Sequence, residues 1–157
     1  MTNIFRFLEV FALGTWVGGI IFFSFVVAPG VFGTVSSRDQ AGAVVGLALS
    51  RLHILGMIAG IVYLIAAVAL ARSVGGLVRP AALAVILMVL LTFVSQGMVS
   101  AKMRRLREEM VSVDVTPREN PLRIEFDRLH RVSVRLEGSV LLLGLVALFF
   151  TVRSQAY

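Results

Sequence analysis

Four long apolar stretches, separated by short polar segments, dominate the hydrophobic pattern of this chain. They extend over about residues 8–30, 51–71, 80–101 and 132–152. Each stretch has about the 20 residues that an α-helix needs to cross a bilayer. The pattern predicts an all-α fold, an up-and-down bundle of four transmembrane helices that forms one domain over residues 1–157.

Charged segments adjoin the third and fourth stretches and favour longer helices there. The segment KMRRLREEM continues the third stretch, and RIEFDRLHRVSVRLE leads into the fourth and overlaps its start. Asn120 followed by Pro121 is a typical helix start. A helix from Pro121 to Val152 would be ~48 Å long at 1.5 Å per residue. We therefore expect helices three and four to extend beyond the bilayer as a pair, whereas the pattern leaves open whether Ala41 to Ser50 belongs to the second spanning helix.

The composition supports a lipid environment. Of the 157 residues, 58% are hydrophobic and 15% are charged, whereas a soluble domain has about 25% charged residues. The net charge is +6. The pattern predicts no soluble basic domain that could bind nucleic acid, so nucleic acid is not an expected partner. The chain has no cysteine, which excludes disulfides and thiolate ligands. The expected partner is the lipid bilayer.

The basic residues are distributed unequally between the two predicted membrane sides. Arg6, Arg72, Arg79 and Arg153 fall on one side, and the other eleven Lys and Arg residues fall on the other. The positive-inside rule places the richer side in the cytoplasm. The loops between helices one and two and between helices three and four would then be cytoplasmic, with both termini outside, in an inner or plasma membrane.

Small residues recur at GxxxG spacing in the first two stretches, at Gly14 and Gly18 and at Gly56 and Gly60. Such pairs let helix backbones approach closely in lipid. We expect the first two helices to pack through them. Faces of this kind also suit other membrane subunits or a homo-oligomer.

Polar residues of different helices fall at one predicted depth near the cytoplasmic face. The candidates for a ligand- or ion-binding site are Arg51, His53, Gln96, His130 and Glu137. Phe126, His130, Ser133 and Glu137 share one helix face by their spacing. Ionisable groups within a span usually face the bundle interior and have a partner, so we expect Glu137 to meet Arg51 or His53.

The histidines leave several kinds of chemistry open. His53 and Met57 share a helix face and would suit copper(I), with His130 as a further candidate ligand, and a histidine in an apolar slot could hold haem. The alternative is that both histidines lie in ordinary hydrogen bonds. A separate stripe of Arg128, Arg131 and Arg135 is typical of contacts with lipid headgroups.

No motif for a nucleophile, a phosphate loop or a zinc helix is present, so no catalytic residue is predicted. The leading hypothesis is a non-enzymatic integral membrane protein whose polar cluster binds or conducts a small ligand, a proton or a metal ion. One alternative is an accessory structural subunit of a larger membrane complex. The other is a redox protein that binds haem or porphyrin.

A family resemblance extends over nearly the whole chain. It depends on Trp16 with Gly18, Ala28-Pro29, Phe32, Ala41-Gly42, His53, Met103-Arg104, Glu108-Glu109, Phe126, Leu129-His130 and Ser133. In order and spacing these residues resemble the transmembrane protein 205-like family, small membrane proteins with a domain of unknown function. The resemblance implies a four-helix integral membrane protein and no particular activity.

The first helix is also distantly similar to two other four-helix families, the copper-resistance D family and the membrane protoporphyrinogen oxidases. The Trp-x-Gly-Gly sequence from Trp16 to Gly19 looks like that of the oxidase. The oxidase pattern has a histidine in the first helix and a lysine within the third. Here the first stretch has no histidine, and Lys102 lies at the end of the third.

Overall fold

A computed structural model describes residues 2–155 of the chain, which are 90% helical and contain four long helices. The helices are α1 (Thr2–Thr34), α2 (Arg38–Ala71), α3 (Pro80–Met110) and α4 (Pro121–Gln155). All four are long and apolar enough to cross a membrane. The predicted all-α four-helix fold is therefore confirmed.

Local sequence signals set the helix ends. Ser37 caps α2, because its hydroxyl accepts a hydrogen bond from the Gln40 N–H, and α2 then continues without a break through residues 41–50. The Leu122 N–H donates to the Asn120 side chain at the start of α4. A short 3₁₀ helix, Val74–Val78, connects α2 to α3.

Two helices contain π-helical segments. In α1 the segment is Phe23–Val27, just before Pro29. A proline within a helix cannot donate to the carbonyl four residues earlier, and the wider π turns lie where that bond is missing. In α3 the segment is Ser95–Ser100, and it contains Gln96. Short π segments of this kind frequently occur at functional sites.

The four helices form a ring around one apolar core. Neighbours pack in the order α1, α2, α3, α4 and back to α1, while the backbones of the diagonal pairs stay apart over the described residues. Leu13, Trp16, Ile20, Tyr63 and Met88 fill the centre. Large apolar side chains also cover the outside, for example Phe11, Ile65, Leu90 and Phe149. This outer surface suits lipid, and the protein is an integral membrane protein.

Only one of the two glycine pairs packs within the chain. The indole of Trp16, 1% exposed, lies against Gly56 and Gly60 of α2, where a Cβ would overlap it. At Gly14 and Gly18, in contrast, an added Cβ would have nothing within 4 Å, and both glycines face outward. The expectation that both pairs join the first two helices is therefore wrong for Gly14 and Gly18. They lie on the outer face of α1, and the ring of Trp16 makes the contact with α2 instead.

A second, smaller core lies where α3 and α4 extend beyond the main bundle. It consists of Leu106, Met110, Val113 and Phe126. The loop before α4 is held to the start of α2 by Asp39, which accepts hydrogen bonds from the Ser112 hydroxyl at 2.7 Å and the Val113 N–H at 2.8 Å. These contacts make the paired extension of α3 and α4 an ordered part of the fold.

Candidate functional site

A buried histidine joins three helices at the end of the bundle that bears this extension. The Nδ1 atom of His53 lies 2.9 Å from Oε1 of Gln96, and its Nε2 atom lies 3.0 Å from Oε2 of Glu137. Gln96 in turn donates from Nε2 to the Ser50 hydroxyl at 2.7 Å. We call Ser50, His53, Gln96 and Glu137 the histidine cluster.

The helices present these side chains for simple geometric reasons. His53 lies on the buried stripe of α2 that also contains Gly56, Gly60 and Tyr63, so it points into the bundle. Gln96 lies in the π segment of α3. Glu137 is on α4, diagonally across from α2. Because the backbones of α2 and α4 do not approach each other, the pair of His53 and Glu137 bridges the middle of the bundle.

The hydrogen bonds restrict the proton positions in the cluster. Because the Gln96 amide donates to Ser50, its oxygen faces His53 and accepts from Nδ1–H. One proton then remains between Nε2 and the Glu137 carboxyl. It resides either on the imidazole, giving an ion pair, or on the carboxyl, giving two neutral groups. Both arrangements have zero net charge, which a site of low dielectric favours.

Two of the predicted site residues do not join the cluster. Arg51 and His130 are exposed, so the prediction that they converge with His53, Gln96 and Glu137 is wrong. Residues at the same depth can still face different directions around a helix. Arg51 lies outside the buried stripe of α2, and His130 lies at the edge of the α4 stripe that buries Phe126 and Ser133.

The predicted metal and haem ligands are also not assembled. Both ring nitrogens of His53 have hydrogen-bond partners, which leaves no ring lone pair directed at a metal or a haem iron. His130 is exposed, and Met57 is half-buried on the helix of His53. Residues 2–155 contain no group of three His, Cys, Asp or Glu side chains that could hold a metal ion.

A second buried polar cluster lies at the opposite end of the bundle and was not predicted. Arg79 donates from Nη2 to Oε1 of Glu9 at 2.9 Å, and Glu9 is 0% exposed. Nearby, the hydroxyls of Tyr63 and Thr151 are 2.7 Å apart, and Tyr63 lies close to Glu9 and Arg79. These four residues form the Glu9–Arg79 cluster. Glu9 comes from α1, Tyr63 from α2 and Thr151 from α4, and Arg79 lies in the connection just before α3.

The direction of the Tyr63 hydrogen bond follows from its neighbour. Thr151 donates its hydroxyl proton to the Ala147 carbonyl at 2.8 Å, so the Tyr63 hydroxyl donates to Thr151. The sequence did hold a signal for the cluster. Glu9 is a carboxylate in the first apolar stretch, and the up-and-down topology brings it to the same end as Arg79.

An apolar layer separates the two clusters. Along α2, Gly56 and Gly60 lie between His53 and Tyr63, and the Trp16 indole covers both glycines. The fully buried Met88 contacts the same layer, with its methyl group close to Gly144. Ten residues of helix separate His53 from Tyr63, which corresponds to ~15 Å.

Residues 11–112 match the model of a domain of unknown function, DUF4149. The chain belongs to the DUF4149 family. No curated protein and no solved structure matches the chain. The DUF4149 region contains Ser50, His53 and Gln96, and it also contains Tyr63 and Arg79. Glu137, which completes the histidine cluster, lies on α4 beyond the matched residues.

Proposed function

We propose that this DUF4149 protein is a non-enzymatic membrane protein that binds one proton between His53 and Glu137 and changes conformation when that proton leaves. One observation carries the proposal. The Nε2 atom of a histidine that is 2% exposed lies 3.0 Å from a carboxylate oxygen, while Nδ1–H is already donated to Gln96. A histidine–carboxylate pair is well suited to proton exchange.

Loss of the proton would make the described geometry unfavourable. With Nδ1–H held by Gln96, the deprotonated pair would direct the Nε2 lone pair at the negative charge of Glu137. Two acceptors at 3.0 Å repel each other, and the cluster would carry an uncompensated charge in a poorly solvated place. The contact between α2 and α4 would therefore open, and we assign the described geometry to the proton-loaded state.

The proton would exchange with water at the loop-bearing end. Glu137 retains 13% exposure of its side chain there, while the layer around Trp16 and Met88 blocks the other direction. The excess of basic residues favours a cytoplasmic position for this end, with both termini outside, in an inner or plasma membrane. We expect proton binding from one side and no steady proton flow across the membrane.

Infrared difference spectroscopy on protein in liposomes tests proton binding. We expect a neutral-minus-alkaline spectrum of the H130Q variant to contain carboxyl or imidazolium bands from the His53–Glu137 pair. H130Q serves as the background because the chain has two histidines and His130 is exposed. Adding E137Q should remove these bands, since a glutamine amide can donate permanently to Nε2.

The same preparation can also give the result that would contradict the proposal. If the bands persist unchanged when E137Q is added, the proton does not reside on this pair and the proposal fails. A parallel measurement with a pH dye inside the liposomes should show no faster decay of a pH gradient than in empty liposomes. A fast decay that E137Q abolishes would instead show that the pair conducts protons.

A second candidate role is that of an accessory subunit or a homo-oligomer, and the outward-facing pair of Gly14 and Gly18 favours it. In lipid such a notch suits a close helix neighbour. We expect wild-type protein in lipid nanodiscs to have an assembled mass above that of one chain, and G14L/G18L to reduce it to one chain. An unchanged mass in the variant would show that Gly14 and Gly18 do not form the contact between chains.

A further inference from the structure

The arginine stripe of α4, formed by Arg128, Arg131 and Arg135, lies on the outside of the protein. All three side chains are exposed, and none has a hydrogen bond or an ion pair with another side chain over residues 2–155. Their spacing of three and four residues places them on one face of α4. Three positive charges are therefore presented together.

The acidic residues of α4 do not neutralise this stripe, because each of them has another partner. Glu125 pairs with Lys102 of α3. Asp127 accepts from Arg123 at 3.2 Å, and Glu137 is turned inward to His53. Along the sequence of α4, acidic and basic residues alternate closely. In the structure the acidic side chains are paired elsewhere, and the three arginines of the stripe lie apart from them.

The stripe also continues directly into a surface that suits lipid tails. Leu142, Leu145 and Phe149 follow it along α4, and all three are exposed. From Arg128 to Arg135 the helix rises ~10 Å at 1.5 Å per residue, which is more than the ~5–7 Å thickness of one headgroup layer, but long arginine side chains near the end of a span can extend to the interface. We therefore expect these charges to reach the depth of the phosphates of the adjacent leaflet.

We infer that the arginine stripe binds anionic phospholipid headgroups of the loop-side leaflet, with the acyl chains against Leu142 and Leu145. The partner is recognised by its phosphate charge together with its apolar chains. This inference does not depend on the proton site, since Glu137 faces away from the stripe.

Lipid enrichment tests the inference. The purified protein would be reconstituted in nanodiscs of phosphatidylcholine with a minor share of phosphatidylglycerol, and the lipids retained after transfer to mild detergent would be counted by native mass spectrometry. We expect the wild-type chain to retain phosphatidylglycerol preferentially. R131Q/R135Q should lower this preference about fivefold for each arginine removed, because a basic residue near a membrane surface contributes ~1 kcal/mol.

A matched variant distinguishes the stripe from the general positive charge of the protein. R38Q/R118Q removes two exposed arginines, from the start of α2 and from the loop before α4, and should keep the wild-type preference. Equal losses in the two variants would overturn the inference. Millimolar inorganic phosphate should not displace the lipid, and complete displacement would show a free-phosphate site instead of a lipid site.

Discussion

The two ends of the bundle each contain a buried polar cluster, but the clusters differ in the groups that hold their charge. The Glu9–Arg79 cluster contains a guanidinium, which keeps its proton at any pH a protein experiences. The histidine cluster contains an imidazole and a carboxyl, and its single bridging proton can leave. Burial is similar, since Glu9 is 0% and His53 is 2% exposed.

The clusters also differ in the helices that they connect. All four helices or their connectors contribute to the Glu9–Arg79 cluster. Over residues 2–155, the histidine cluster connects α2, α3 and α4 and has no member on α1. At that end the last part of α1, from Phe23 to Thr34, contains no buried residue. If the proposed function is correct, we expect the Glu9–Arg79 end to stay fixed and the helices at the histidine end to separate.

The largest expected effect comes from removing the permanent charge pair. R79Q should lower the free energy of unfolding by ~3 kcal/mol, because the carboxylate of Glu9 would lose its guanidinium in a buried position. The measurement is denaturation in mixed detergent micelles. R72Q is the matched control, since Arg72 is an exposed arginine in the same connection.

E9Q/R79Q should recover part of the loss, because it leaves no buried charge. If R79Q and R72Q have the same small effect, the Glu9–Arg79 cluster is not the fixed end of the bundle.

A smaller effect is expected in the apolar layer that separates the clusters. G56A should destabilise the protein by ~2 kcal/mol, because the added Cβ overlaps the rigid indole of Trp16. G14A makes the same chemical change where nothing lies within 4 Å, and it should be neutral or slightly stabilising. Thermal unfolding of both variants in the same detergent would show the difference.

Equal stability of G56A and G14A would mean that Trp16 does not fill the space between the clusters in solution.

The smallest effect concerns the hydroxyl of Tyr63. Y63F should cost ~1 kcal/mol, because Thr151 keeps its own bond to the Ala147 carbonyl and no buried donor is left without a partner. Unfolding in detergent micelles, as for R79Q, gives the value. If Y63F lowers the free energy of unfolding more than R79Q does, the hydroxyl pair and not the charge pair is the main stabilising contact of the Glu9–Arg79 cluster.

The sequence was sufficient to predict the four helices, because an apolar stretch of about 20 residues in lipid can satisfy its backbone hydrogen bonds only as a helix. It was also sufficient to bring His53, Gln96 and Glu137 to one depth, since topology alone determines depth. It was not sufficient to separate His130 from Glu137. Their positions around α4 differ slightly, and depth alone does not specify which of them is covered by neighbouring helices.

The Glu9–Arg79 cluster shows a different limit. Tyr63 and Thr151 each place one hydroxyl in an apolar stretch, and such residues are common in ordinary helix packing. That these two hydroxyls bond each other depends on residues 88 positions apart in the chain, which the sequence pattern does not pair. The choice between the two glycine pairs likewise depends on where Trp16 points, which the GxxxG spacing does not specify.

The central claim is that loss of one proton separates α2 from α4 at the histidine end. The chain has no cysteine, so spin labels can be attached to cysteines introduced at Ile54 and Val134, both of which are exposed. Electron–electron distance measurements in nanodiscs should show a longer distance at alkaline than at neutral pH, and no change when E137Q is also present. An unchanged distance in the labelled protein without E137Q, or the same change with it, would contradict the account.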